Sequence, residues 1–128
     1  MAELPDAARK LLDAPNLAVV TSLNPDGGPQ STVVWVRTDG DDVLFSTVAG
    51  RRKPRNFDRD PRASLLVIDP DDPYRYVEVR GRVTMREDPA GDLIQELSHK
   101  YTGKPWEDKP GTERLIVRIE PDKVTLRG

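Results

Sequence analysis

The sequence predicts a small antiparallel β-barrel of six or seven strands with helical additions. Three patterns carry that expectation. β-rich runs are separated by Asp-Gly and Gly-Pro turn chemistry, one long alternating segment is interrupted by a glycine, and amphipathic helical stretches open the chain and recur late in it. At 128 residues the chain is long enough to bury one proper core and too short for two independent ones, so residues 1–128 are expected to form one domain.

Leu4, Ala8, Leu11 and Leu12 share one helical face before Pro15, which predicts a short helix that lids one end of the core. "LAVVTSL" (17–23), "QSTVVWVRT" (30–38) and "VLFSTV" (43–48) then read as three strands of a meander, joined by "NPDGGP" and "DGDD". A further strand is expected over "RASLLVID" (62–69), followed by a loop, "PDDP". In "YVEVRGRVTMRED" (76–88), Val77, Val79, Val83 and Met85 alternate with Glu78, Arg80, Arg82, Thr84 and Arg86, the period of a half-buried strand. Gly81 marks a bend or bulge, the device by which small barrels turn corners. "DPAGDLIQELSHKYTG" predicts a helix near residues 89–102, with Asp88 as N-cap, Pro89 at its first position and Gly103 as its stop. Leu93, Ile94, Leu97 and Tyr101 lie on one face of it. "KPWEDKPG" reads as a loop, and "ERLIVRIEPDKVTLRG" as two strands split at Glu120-Pro121-Asp122.

Composition narrows the function classes. A formal charge of -2 and a pI near 5.4 leave no global field that would draw the molecule to nucleic acid or an anionic membrane. The absence of Cys removes thiolate chemistry and thiolate metal ligation, and His99, the single histidine, cannot supply a multi-histidine metal site; no metal is expected. "LAVV" and "VVWV" are too short to span a bilayer, and "MAELPDAARK" lacks the layout of a signal peptide, so a cytoplasmic protein is expected.

Against that acidic background stands "TVAGRRKPRNFDRDPRASLLV" (47–67), where Arg51, Arg52, Lys53, Arg55, Arg59 and Arg62 lie between two strands. Pro54 is suited to the first position of a short helix carrying Arg55, Asn56 and Phe57, so Arg51, Arg52 and Lys53 would sit just ahead of a helix N-terminus. Such a place binds phosphate or carboxylate. The competing reading is a solvated face neutralised by Asp58 and Asp60.

The order of the "LAVVTSLNPDGGPQSTVVWV" hairpin, the "VLFST" strand, "GRRKPRN" and "DPRASLLV" resembles the pyridoxamine 5'-phosphate oxidase-like superfamily of split β-barrels, and most closely its small members that use the deazaflavin coenzyme F420. The resemblance implies a homodimer with the cofactor in a groove at the subunit interface. It implies that Arg52 and Lys53 meet the cofactor phosphate, with Arg55 and Asn56 close behind, and that Gln30, Ser31, Thr32 and Val33 contact the ring system. It also nominates Arg75 and Tyr76, at the start of the long strand, to reach the cofactor held mainly by the other subunit. Bland alternatives stand beside these: Thr32 and Val33 are ordinary strand residues, Tyr76 a strand start, and Arg75 a surface partner for Asp71 or Asp72. Trp106 either belongs to a plain loop or covers a ring face.

The implied activity is hydride transfer from reduced F420 to a conjugated small-molecule acceptor, which needs no protein nucleophile; the residues name no catalytic acid or base. FMN is the alternative cofactor. The tail of F420 carries carboxylates as well as phosphate, which suits four basic residues between Arg51 and Arg55. The pyridoxamine phosphate oxidases proper have a longer C-terminal portion with substrate-binding basic residues, so vitamin B6 oxidation is not the implied reaction. A non-catalytic flavin- or deazaflavin-binding protein is a further reading. Single-strand nucleic-acid binding would need aromatic platforms beside the charges, where only Phe57 lies, so no nucleic-acid partner is expected.

Overall fold

Strand β1 (Ala18–Leu23) buries every second side chain, and the same alternation over Arg62–Asp69, the strand beside it, turns one face of the sheet to a shared apolar interior. The structure, a computed structural model, describes residues 2–128. Helix α1 (Asp6–Asp13) is followed by β1, β2 (Pro29–Val34), β3 (Arg37–Asp39) and β4 (Asp42–Val48). Helix α2 (Arg52–Arg59), β5 (Arg62–Asp69), β6 (Asp72–Glu87), helix α3 (Asp92–Thr102) and β7 (Arg114–Arg127) complete the order.

The seven strands form one sheet in the order β2-β1-β5-β6-β7-β4-β3, with every neighbouring pair antiparallel. β2 and β3 are its opposite edges, yet only Trp35 and Val36 separate them in the chain. Three Cα steps reach at most about 11 Å, so the two edges lie side by side and the sheet is rolled up. No pairing joins β2 to β3 among the described residues, so the barrel stays split along that seam. This is the mainly β, seven-stranded architecture with three helices that the sequence predicts.

Phe45, Leu65, Val20, Val77, Val79, Val117 and Ile119 fill the interior. Leu4, Ala8, Leu11 and Leu12 of the α1 segment close one end of it, as their spacing predicts. A smaller cluster of Leu44, Leu93 and Leu97 lies under α3, with Trp35, Tyr101 and Ile116 packed against it.

Four local expectations are corrected. "QSTVVWVRT" is two strands, because Val36 turns inward: it is fully buried, its N–H donates to Tyr101 Oη at 3.1 Å and its carbonyl accepts from Lys100. "PDDP" is a tight turn rather than a loop, since β6 already begins at Asp72. The C-terminal run is one bent strand of 14 residues. Pro121 falls opposite Gly81, where the register shifts; a bulge tolerates a residue without an N–H. Helix α3 starts at Asp92, not Pro89, but Asp88 still serves it, its carboxylate accepting from the Asp92 and Leu93 N–H groups at 3.2 and 3.0 Å. Gly91 and Gly103, both left-handed, bracket that helix.

Candidate functional site

Helix α2 carries the basic stretch, and it starts at Arg52, with Arg51 as its N-cap, two residues before the expected Pro54. Proline costs nothing there, because the first four helical N–H groups have no intrahelical partner. Arg52 and Lys53 thus occupy the first turn rather than preceding it, and the N-terminal positive dipole end adds to their charge. Phe57, 3% exposed, anchors the helix and meets Phe45 at 6.4 Å between centroids.

Asn56 ties this helix to the first hairpin. It is 2% exposed, and its Nδ2 lies 3.0 Å from Ser22 Oγ, 3.1 Å from Asn24 Oδ1 and 3.3 Å from Gln30 Oε1. Arg59 reinforces the joint by donating to the Leu23 carbonyl. The result is a fixed distance between the α2 N-terminus and the end of β2, with a cleft between them.

That cleft, of about 310 Å³, is lined by Val33, Val34 and Trp35 on one side and Ser46, Thr47, Arg51 and Lys53 on another. Ile94, Leu97, Trp106 and Arg114 complete it. Lys53 Nζ donates to Thr32 Oγ1 at 2.9 Å and lies 5.7 Å from the centroid of Phe45. Desolvation, with a smaller contribution from Arg51, holds its pKa below the usual lysine value. Among the described residues, none of Arg51, Arg52, Lys53 and Arg55 has a carboxylate within 4.0 Å. Asp60 neutralises the far end of the stretch, as the solvated-face reading expects, pairing with Arg62 at 2.7 Å, and leaves the cations at the helix N-terminus uncompensated. The hydrogen bond from Arg62 brings the Asp60 pKa down to about 2. A cluster of cations left uncompensated at a helix N-terminus, one of them half-buried, is an anion site in waiting.

The predicted site residues separate into three places. Val33 and Lys53 line the cleft and Thr32 meets Lys53 Nζ there, whereas Arg52 is not a lining residue and lies 3.5 Å from Asn24 Oδ1. Gln30 and Asn56 form the joint behind it, while Arg55 is solvent-exposed and Ser31 faces outward, sharing a hydrogen bond with Thr21 at 2.8 Å. Arg75 and Tyr76 do not line the cleft; Tyr76 borders a shallow depression on the outer face of the sheet. Arg75 pairs loosely with Asp69 at 3.9 Å rather than with Asp71 or Asp72.

Sequence reasoning missed Trp35, Ser46, Thr47, Ile94, Leu97 and Arg114 as lining residues. Ser46 and Thr47 come from the end of β4 and Arg114 from the start of β7, which pair through Ser46 opposite Ile116 and Val48 opposite Arg114. Only the pairing register brings them to one place. No carboxylate or imidazole lines the cleft, and His99 faces solvent on α3.

Residues 4–128 match the model of the pyridoxamine 5'-phosphate oxidase family, and the chain belongs to that family. Within it, the fold is that of the split barrels among which an F420 branch is found. A solved structure named F420 reductase is 34% identical, covering 94% of this chain and 98% of its own, with a TM-score of 0.86. A conserved hypothetical protein of Mycobacterium tuberculosis is 25% identical over 99% of this chain and 84% of its own, with a TM-score of 0.79. A putative pyridoxamine 5'-phosphate oxidase of Listeria innocua shares the fold at 21% identity, covering 97% and 98% of the two chains at a TM-score of 0.75. Family and fold together define an oxidoreductase of flavin or deazaflavin type. No helix among the described residues is long and apolar enough to cross a membrane.

Proposed function

We propose that the chain is an F420-dependent reductase that passes a hydride to a conjugated small molecule. The observation that carries the reading is Lys53, half-buried at the cleft with no carboxylate partner, beside Arg51 and Arg52. Lys53 and the two arginines hold the anionic tail, and Thr32 keeps the ammonium aimed into the cleft. Arg55 lies one turn behind to take further carboxylates, so the cation count exceeds what a single phosphate requires and favours F420 over FMN. The 34% identical neighbour named F420 reductase supports the same choice.

When bound, the cofactor ring supplies the hydride chemistry. The protein's part is position: Val34, Ile94 and Leu97 give the cleft an apolar floor, and its lack of a carboxylate or imidazole leaves the proton to solvent or to a group on the substrate. Arg75 and Tyr76 serve the site of a second copy in a cytoplasmic homodimer, packed through the outer sheet face on which Tyr76 lies. FMN remains the second reading, favoured by the family to which the chain belongs.

The test is a titration of cofactor-free protein with F420 and, in parallel, FMN. The two tryptophans, Trp35 and Trp106, both line the cleft, so intrinsic fluorescence reports on it directly. Micromolar or tighter F420 binding, with FMN weaker, is expected. Lys53→Ala should lower F420 affinity by about 1.5–3 kcal/mol, roughly ten- to a hundredfold, with no loss of fold. FMN preference moves the protein to the flavin branch; binding of neither overturns the reading.

A further inference from the structure

Arg114 opens β7 opposite Val48 of β4, and its carbonyl accepts from the Asp88 N–H at 2.9 Å. Only 9% of its side chain is exposed, and that side chain lines the cleft together with Ser46. One edge of the guanidinium is engaged: Nη2 and Nε donate to Asp108 Oδ1 and Oδ2 at 2.7 and 2.9 Å, a bidentate pair. Trp106 fixes that pair, its Nε1–H donating to Asp108 Oδ1 at 2.8 Å while the guanidinium carbon lies 5.5 Å from the indole centroid. Gln95 of α3 holds the loop in turn, accepting from the Trp106 N–H at 3.0 Å. Nη1 is different. It carries two N–H groups, and among the described residues its one partner is Ser46 Oγ at 3.5 Å, beyond the usual N–H···O range.

Asp108 is not among the residues that line the cleft; it meets the guanidinium on its Nε edge and cancels its charge. Hydrogen bonds from Arg114 first and Trp106 next, with the charges of Arg114 and Arg51, hold its carboxyl below the usual carboxylate range against some desolvation. The Asp108–Arg114 pair is therefore ionised, and neutral as a unit, throughout ordinary pH. Arg51 feels Asp108 only at a distance, since neither Arg51 nor Lys53 has a carboxylate within 4.0 Å among the described residues. The cleft thus offers two kinds of donor. Arg51 and Lys53 draw an anion, whereas Arg114 Nη1 presents directional N–H groups on a pair without net charge. A carboxylate gains little there, being close to Asp108 and more costly to desolvate than a carbonyl.

We propose that Arg114 Nη1, with Ser46 Oγ, is a hydrogen-bond subsite for an uncharged carbonyl oxygen of a bound ring, and that Asp108 is the positioning residue that sets this preference by holding the guanidinium and cancelling its charge. The proposal rests on the cleft being the ligand site read above. The carbonyl belongs either to the cofactor ring or to a second ligand, and the test separates the two.

Benzamide and benzoate, alike in shape and different in charge, are titrated against cofactor-free protein by NMR, which measures millimolar binding. Asp108→Asn should shift the benzoate-to-benzamide affinity ratio roughly tenfold toward benzoate, while Asp108→Glu keeps the wild-type ratio. Arg114→Gln should weaken benzamide roughly tenfold, leave benzoate within about twofold, and abolish the shift when combined with Asp108→Asn. An unmoved ratio in Asp108→Asn, full benzamide affinity in Arg114→Gln, or no benzamide binding by wild type overturns the proposal. Titration of folded Arg114→Gln with F420 and FMN then places the oxygen: a loss matching that of benzamide puts it on the cofactor ring, and unchanged cofactor affinity puts it on the second ligand. If neither cofactor binds wild type, the hydride reading falls, and the benzamide titrations still decide for or against the subsite.

Discussion

Lys53 and Lys100 are both half-buried, and different neighbours give them different work. Lys53 has one hydroxyl, one aromatic face and no anion, which leaves its charge for a ligand. Lys100 is spent internally: its ammonium donates to the carbonyls of Leu12, at 2.9 Å, and Val36, and lies 4.9 Å from the centroid of Tyr101, tying α1, the β2–β3 link and α3 together. Burial brings its pKa down to about 8, against the opposing pull of Asp13 and Glu96 and with some help from Arg37. A lysine whose folded pKa lies below its unfolded value of 10.5 loses its proton first in the folded state, so between pH 8 and 10 the unfolded chain holds more protons and stability rises with pH. From about pH 10 upward Tyr101, whose pKa burial raises, acts in the opposite sense. Urea unfolding of wild type at pH 8, 9 and 10 should show a rising midpoint, and Lys100→Met should flatten it. A wild-type midpoint no higher at pH 10 than at 8 would refute this account. The basic cluster was legible in the sequence, but its sorting was not: Arg55 is exposed, Asn56 is buried, and only Lys53 lies in the cleft with a defined partner.

Among the elements, β6 and β7 show how a local signal acquires meaning from its partner. Gly81 interrupts a clean alternation, which is enough to expect a bend. What the sequence hides is that Pro121 sits across from it, because the pairing of residues 76–87 with 115–127 is a long-range fact. A β-carbon on Gly81 would collide with the Glu120 carbonyl oxygen and crowd Pro121. Gly81→Ala should therefore cost about 1–3 kcal/mol in denaturant unfolding, as overpacking against backbone does, and Gly81→Val more. Equal stability of Gly81→Ala and wild type would mean that the two strands separate there without penalty. Helix α2 gives the complementary case: Pro54 marked a helix start correctly in kind and two residues late in place, since a proline is tolerated throughout the first turn.

For the molecule as a whole, the outer face of the sheet bears on the proposed dimer. Val33, Val19 and Leu66 form a cross-strand row on β2, β1 and β5, with Val33 60% and Val19 38% exposed. Ile68, 49% exposed, continues it beside Tyr76. Shallow depressions of about 570 and 580 Å³ border the row, lined by Thr21, Ser64 and Arg80 on one side and Leu66, Ile68 and Tyr76 on the other. An apolar stripe rimmed by Glu78, Arg80 and Lys123 suits a self-complementary contact. Light scattering at micromolar concentration should give a dimer mass, and Val19→Glu with Ile68→Glu should give a folded monomer with weakened cofactor binding. A monomeric wild type would remove Arg75 and Tyr76 from the site.

Alternation, turn residues and a broken valine period determine the number and kind of the strands, the helix that lids the core and the run of cations, because each depends on neighbours within a few positions. The family likeness is legible for the same reason, since it lies in the order of those short segments. The cleft is not local. It exists because a two-residue link carries the chain between opposite edges of the rolled sheet, and because β4 pairs with β7 so that Ser46, Thr47 and Arg114 meet Lys53 and the two tryptophans. Which cations stay uncompensated depends likewise on where every carboxylate ends up, and only tertiary packing decides that.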